Sequence, residues 1–268
     1  MGKVILDLVV RSIHQLGSRF VHIRLGGTEP LPIMTPGQFV QVRVDGSSTT
    51  FLRRPVSINF VDRIRNELWL LVAVVGDGTR QLARLDEGDR VNCVLPLGHG
   101  FDMPVGKQRF LLVGGGVGIA PLLFQGYALR NKRKDADVTF LLGGRNSADL
   151  VLLGEFGKYG RVFTTTEDGS AGVRGFVTQH PVLAEEQFDM VQCCGPTPMM
   201  RAVTDYAWQN DICCQVSLEN LMACGLGACL CCVEKIRRAS ADGKEAVTNV
   251  CVCKDGPVFN KEELTWQS

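Results

Sequence analysis

Cysteine placement restricts the fold of this chain more than any other feature of its sequence. Of eleven cysteines, ten lie after residue 190 and eight crowd between Cys213 and Cys253. The odd count argues against a disulfide framework, which would also need an oxidising compartment. Thiols gathered this densely point instead to a metal site that pins the C-terminal part of the chain. Cys224, Cys229 and Cys232 run C-x4-C-x2-C, with Cys251 and Cys253 downstream.

That spacing is the one used by plant-type [2Fe–2S] centres. Gly225 and Gly227 allow a tight loop whose backbone amides can point at the sulfurs of a cluster. Four soft thiolates hold two irons in paired tetrahedral sites. A structural zinc site usually pairs two short C-x2-C knuckles, and Cys251-Val-Cys253 does not supply the second. Cys224, Cys229 and Cys232 are therefore the candidate iron ligands, with Cys251 or Cys253 as the fourth. On one strand those two share a face, so alternation does not separate them. Cys253 precedes Lys254-Asp255-Gly256-Pro257, a turn sequence that places it at a loop edge. Cys213, Cys214 and Cys231 read as neighbours of the site rather than ligands.

A chain of 268 residues exceeds one ordinary core and suggests two domains with a small appendage. Hydrophobic residues at 45% and charged residues at 21% suit a soluble globular protein. The net charge of +1 gives no broad electrostatic case for nucleic acid or a membrane surface. The start carries no apolar segment followed by a small-residue cleavage site. No uncharged apolar run approaches the ~20 residues that span a bilayer. The expected location is the cytoplasm.

Up to about residue 100 the chain reads as β. Val4–Arg11, Phe20–Leu25, Phe39–Val44, Val56–Phe60, Leu68–Val75 and Arg90–Leu95 are short apolar runs separated by turn signals such as Thr35-Pro-Gly37. This spacing predicts an antiparallel barrel, with one helix at Thr79–Leu85. After Pro104 the rhythm changes. Phe110–Val113 runs into Gly114-Gly-Gly-Val-Gly-Ile-Ala-Pro121, an amphipathic helix is expected to Arg130, and strand-like runs follow at Val138–Leu142, Val162–Thr165 and Met190–Cys194. A helix is expected at Thr197–Gln209. Alternating strands and helices predict an open parallel sheet. The expected division is a β-barrel over 1–103, an α/β nucleotide domain over 104–217 and a cluster-binding segment over 218–268.

Arg54-Pro55-Val56-Ser57 resembles the Arg-x-Tyr-[Ser/Thr] element of ferredoxin–NADP reductase-like proteins, with Val56 in place of tyrosine. In that family the arginine pairs with the flavin pyrophosphate and the strand meets the isoalloxazine ring. Gly76-Asp77-Gly78-Thr79 opens a helix, and glycines with a hydroxyl there make a phosphate cradle. Leu71, Val72 and Ala73 lie just upstream. Val72-Ala73 stands where relatives often carry Tyr-Arg, which leaves Arg53 as one replacement for the missing side chain. Gly114, Gly115, Gly116 and Gly118 follow a strand and precede a helix, the setting a phosphate loop needs. This loop resembles the GGGxGxxP nicotinamide loop of the same proteins, and Cys194-Gly195-Pro196 resembles their CGP motif. FAD, NAD and a [2Fe–2S] cluster are thus the expected cofactors, with flavin joining one- and two-electron chemistry.

A narrower resemblance lies in Val216-Ser-Leu-Glu-Asn-Leu-Met-Ala-Cys-Gly-Leu-Gly-Ala-Cys229 and Val252-Cys-Lys-Asp-Gly-Pro-Val-Phe259. These resemble the family of electron-transfer subunits of type B dihydroorotate dehydrogenase. Asp149–Leu153 and Leu97–Phe101 are similar to it as well. The resemblance implies Cys253 as fourth ligand and a heterotetramer of two such chains with two FMN-containing catalytic subunits. It also implies electron flow from dihydroorotate to FMN, the cluster, FAD and NAD, within pyrimidine biosynthesis. The four histidines are scattered, and no residue here is expected to act on dihydroorotate itself. The alternatives are a related FAD/[2Fe–2S] subunit serving a sulfide-, hydrogenase- or transhydrogenase-type partner, or a redox sensor. The absence of a basic stripe or DNA-reading helix disfavours the sensor.

Overall fold

The computed structural model describes residues 2–239 and 245–266. Six antiparallel strands close into a barrel in the order β1-β2-β5-β4-β3-β6. They are β1 (Val4–Leu16), β2 (Phe20–Gly26), β3 (Phe39–Val42), β4 (Arg54–Asp62), β5 (Glu67–Ala73) and β6 (Arg90–Leu97). The one-turn-and-a-half helix α1 (Asp77–Leu82) starts before the expected Thr79 and stops before Leu85. β1 runs past Arg11 because Ser12–Leu16 continue to pair with β2 after a register shift. A bulge of this kind breaks the alternation that a sequence reading follows. β3 is buried on both sides. Val40 and Val42 fill the barrel core, while Phe39 packs outward with the cysteine-rich tail.

The second layer is a seven-stranded sheet in the order β10-β9-β8-β7-β11-β12-β15. β7 (Arg109–Gly115), β8 (Asp137–Gly144), β9 (Arg161–Thr166), β10 (Val173–Arg174), β11 (Met190–Cys194) and β12 (Cys213–Ser217) are parallel. The helices are α2 (Ala120–Lys132), α3 (Leu153–Phe156), α4 (Val182–Glu185) and α5 (Thr197–Gln209). α2 is not amphipathic as expected. Ala120 through Gly126 are all buried, because the sheet covers one side and the barrel the other. Asn59 of the barrel donates to the Ala120 carbonyl at 2.9 Å, and Phe60 packs against Phe124 and Tyr127.

The tail forms the hairpin β13 (Val233–Ala239) and β14 (Glu245–Cys251), then α6 (Val252–Asp255) and β15 (Val258–Asn260). β15 pairs antiparallel with β12, so the nucleotide sheet is parallel except at this edge and the tail is sewn into it. Lys261 strengthens the seam. Its buried ammonium donates to the carbonyls of Ala207, in the last turn of α5, and of Ile212 just beyond it, at 3.2 and 2.6 Å, and lies over the Trp208 ring. A cation there meets the negative end of the helix dipole. Among the described residues, no helix is long and apolar enough to cross a membrane.

Candidate functional site

A cleft of about 540 Å³ opens where barrel, nucleotide sheet and tail meet. Arg54, Pro55, Val56 and Ser57 of β4, Leu71, Val72 and Ala73 of β5, and Thr79 of α1 line one side. The sequence separates Arg54 from Gly78, yet the fold brings them into contact. A Cβ on Gly78 would stand 2.6 Å from the Arg54 Nε, so only glycine lets the guanidinium lie against the helix start. A fixed positive charge beside backbone amides makes an anion site of the kind a pyrophosphate occupies. The Thr79 hydroxyl is spent locally, accepting from the amides of Val75 and Gly76 at 2.9 and 3.0 Å. Arg53 does not replace the missing flavin contact. It turns along the barrel wall, donating to the carbonyls of Gln41 and Asn92 and to the Asn92 side chain, because its neighbour Arg54 takes the cleft side.

The opposite wall was not foreseen. Ser217, Leu218, Glu219, Asn220, Leu221 and Met222, the run from β12 to Cys224, line the same cleft. Its signal was the short mixed segment just before Cys224, quoted above only as a resemblance. The Glu219 carboxyl lies at the cleft surface, 4.0 Å from the Cys194 Sγ, and the surrounding walls raise its pKa. Burial, then the Glu219 charge, holds the Cys194 thiol well above the usual range, against a contact with Ser217. Cys194 is therefore a neutral thiol at neutral pH, not a nucleophile.

Gly114–Gly118 and Cys194–Pro196 interlock at the carboxyl ends of β7 and β11, where Cys194 pairs with Gly114. A Cβ on Gly118 would meet the Cys194 carbonyl oxygen at 2.4 Å. One on Gly115 would meet the Met199 Sδ at 2.6 Å. Gly116 faces open space and takes φ +57°. The carboxyl edge of a parallel sheet is where open α/β folds bind nucleotides. Val117 and Ala120 carry this loop directly to the cleft. Cys193 and Cys214 are free thiols buried behind it, and a hydrogen bond between them, with burial, raises the Cys193 pKa.

The tail cysteines meet in two groups, Cys224 with Cys229 and Cys232 with both Cys251 and Cys253. Cys224 and Cys229 touch through their thiols, as do Cys232 and Cys253. Amides of Leu226 and Ala228 donate to the Cys224 Sγ at 3.3 and 3.4 Å, and the Gly227 amide donates to the Cys253 Sγ at 3.2 Å. Burial opposes ionisation of Cys224, but these amides, with those of the Cys229 backbone and its thiol, bring its pKa down to about 6. Burial and the Cys232 thiol push Cys253 up to about 12. Cys251 and Cys253 do not share a strand face, contrary to the sequence expectation. β14 ends at Cys251 and the chain turns into α6, so the two are not alternate residues of one strand, yet both thiols reach Cys232. Cys251 also touches Cys232, but it approaches the Gly227 carbonyl at 3.9 Å as a donor, whereas Cys253 accepts from the Gly227 amide. Among the described residues, no three His, Cys, Asp or Glu side chains gather closely enough for a single metal ion. Two groups of thiols around an amide-lined loop fit a two-iron cluster instead.

A barrel with an anion-binding strand, joined to a sheet with a nucleotide loop, defines the ferredoxin reductase-like class. The chain superposes on the NADH-dependent reduced ferredoxin–NADP oxidoreductase at a TM-score of 0.81 and 29% identity, covering 99% of this chain and 92% of that one. The ferredoxin reductase of carbazole 1,9a-dioxygenase shares the fold at a TM-score of 0.67, over 79% of this chain and 67% of that one. Residues 112–205 match the oxidoreductase NAD-binding domain, and residues 219–265 match the iron-sulfur cluster binding domain of dihydroorotate dehydrogenase B. The dihydroorotate dehydrogenase B (NAD(+)) electron transfer subunit of Desulforamulus reducens is 36% identical over the whole of both chains. That of Caldanaerobacter subterraneus subsp. tengcongensis is 41% identical over 85% of this chain and 86% of its own. The chain belongs to the family of dihydroorotate dehydrogenase B electron transfer subunits.

Proposed function

We propose that this chain receives electrons from a dihydroorotate-oxidising, FMN-containing partner and delivers them to NAD+ through a [2Fe–2S] cluster and FAD. The observation that carries this reading is the shared wall: the segment Ser217–Met222 lines the flavin cleft and leads straight into Cys224. Bound flavin supplies the exchange between hydride at a nicotinamide and single electrons at a cluster. The protein's part is positioning. Arg54 and Gly78 hold negative charge at one end of the cleft, while Leu71, Val72 and Leu218 keep water from its apolar middle. The neutral Cys194 thiol offers the nicotinamide end a polarisable, unreactive surface.

Cys224, Cys229, Cys232 and Cys253 are the ligands we assign to iron, and Gly114, Gly115, Gly116, Gly118, Cys194, Gly195 and Pro196 the residues we assign to the nucleotide. The cluster loop presents Cys229, Cys231, Leu226 and Leu230 to solvent, an apolar rim suited to a docked electron donor. A heterotetramer of two copies of each chain in the cytoplasm is the assembly we infer. Anaerobic co-expression with the FMN subunit and a dihydroorotate-dependent NAD+ reduction assay test it. Activity that needs both chains is the expected result. Bound cofactors without dihydroorotate activity would redirect the search to another partner, as the likeness to a bifurcating oxidoreductase suggests.

A further inference from the structure

Gln41 is a polar side chain with no place in the barrel's own accounting. It is fully buried, at 0% exposure, and neither its Nε2 nor its Oε1 has a hydrogen-bond partner among the described residues. Its cross-strand neighbours are Pro55 on β4 and Val94 on β6, neither of which has a polar side chain. Arg53 takes only its backbone carbonyl. The alternation of β3 sends Val40 and Val42 into the barrel and Gln41 outward, under the cluster loop. There it meets Gly225, the residue after Cys224. A Cβ on Gly225 would stand 2.7 Å from the Gln41 Cγ and 2.9 Å from its Nε2, and Gly225 holds φ +70°. The loop therefore closes directly onto the carboxamide. Buried amides are almost always paired, and an orphan in a native fold marks a partner still to be named.

We propose that the Gln41 carboxamide donates an N–H to a sulfur of the [2Fe–2S] cluster and so raises the potential at which the cluster takes up an electron. The inference rests on the cluster reading above. Reduction adds negative charge to the sulfurs, so a donor aimed at them favours the reduced state. Gln41 acts through the cluster as a positioning residue. It ties the cluster's potential to β3, whose Phe39 lines the flavin cleft. Loss of one hydrogen bond to a charged acceptor is expected to shift the one-electron equilibrium between cluster and flavin about tenfold, or ~59 mV.

The test uses the complex co-expressed with its FMN partner and purified anaerobically. Iron content and an EPR-monitored redox titration are compared for the native chain, Gln41→Met and Gln41→Glu. Met keeps the length without the N–H, and Glu replaces the donor with negative charge. The expected result is native iron content with a cluster midpoint about tenfold less favourable to reduction in Gln41→Met, and lower still in Gln41→Glu. An unchanged midpoint in Gln41→Met with native iron content overturns the proposal while leaving the cluster reading intact. A native chain that holds no iron overturns both. If the variants fail to fold, pulsed EPR of the native reduced cluster with side-chain 15N-glutamine decides instead. A glutamine nitrogen coupling sustains the proposal, and its absence overturns it.

Discussion

Two glycine-laced loops serve this molecule in opposite ways. In Gly114–Gly118, Gly114, Gly115 and Gly118 yield to protein: the place of a Gly118 Cβ is taken by the Cys194 backbone at 2.4 Å. That loop is a finished piece of packing whether or not a nucleotide is present. In the cluster loop, Gly225 and Gly227 hold φ +70° and +84°, and the groups over them are side chains, Gln41 and Lys254. Cys224 and Cys229 on it are held by thiol contact and amide hydrogen bonds at the surface, while Cys232 and Cys253 sit buried behind it. The first loop is specified by the fold, whereas the second depends on the metal it holds.

The largest effect expected is therefore all-or-none and confined to the second loop. Cys229→Ser should abolish the cluster absorbance while Cys231→Ser keeps it, with flavin bound in both. Equal loss in the two would mean that the pairing of Cys224 with Cys229 has been misread. Glycine-to-alanine changes compare the loops directly. Gly118→Ala should cost about 3 kcal/mol or more, since backbone must move, and should lower the denaturation midpoint. Gly227→Ala should cost only about 1–2 kcal/mol, the penalty for a left-handed residue beside the flexible Lys254. Similar costs at both positions would break the contrast.

Acid offers a way to weaken the scaffold without touching either loop. Burial, helped by the Arg24 charge, holds the His22 imidazole down at about 4. The unfolded histidine takes its proton first, so stability should fall as pH drops from about 6.5 to 4, by at most about 3 kcal/mol. The neutral isostere Gln at position 22 should flatten that fall in urea titrations at pH 7 and pH 4.5. A smaller effect is expected at Asp149, nearly buried, which takes Arg19 of the barrel at 2.8 and 2.9 Å and Arg145 of the sheet at 3.5 Å. Asp149→Asn should cost about 2 kcal/mol by weakening charge-assisted bonds between the two layers. An unchanged midpoint would show that the layers hold without this latch.

Elements whose signals are local were readable. Met190–Cys194 and Thr197–Gln209 have the same bounds in the structure as in the sequence reading, because each is bracketed by Gly, Pro or a polar turn. β12 went unread, since Cys213 and Cys214 were read only as neighbours of the metal site while the chain uses them in a parallel strand. α2 was expected to be amphipathic, but its first turns are buried all round. Gln125 is in fact buried and donates to Gln192 at 2.7 Å, and Gly126 leaves room for the Phe140 ring.

By itself, then, the sequence determined the barrel-then-sheet order, the glycine loop between strand and helix, and the cysteine spacing. These are properties of adjacent residues, set by backbone stereochemistry and covalent reach. Only the tertiary structure decided that Gly78 lies under Arg54, that Arg53 turns away, that a turn into α6 separates Cys251 from Cys253 and that Gln41 lies beneath Gly225. Each of those depends on which strand lies beside which, and in what register. No local pattern carries that information, because it is settled by the shared burial of surfaces distant in the chain.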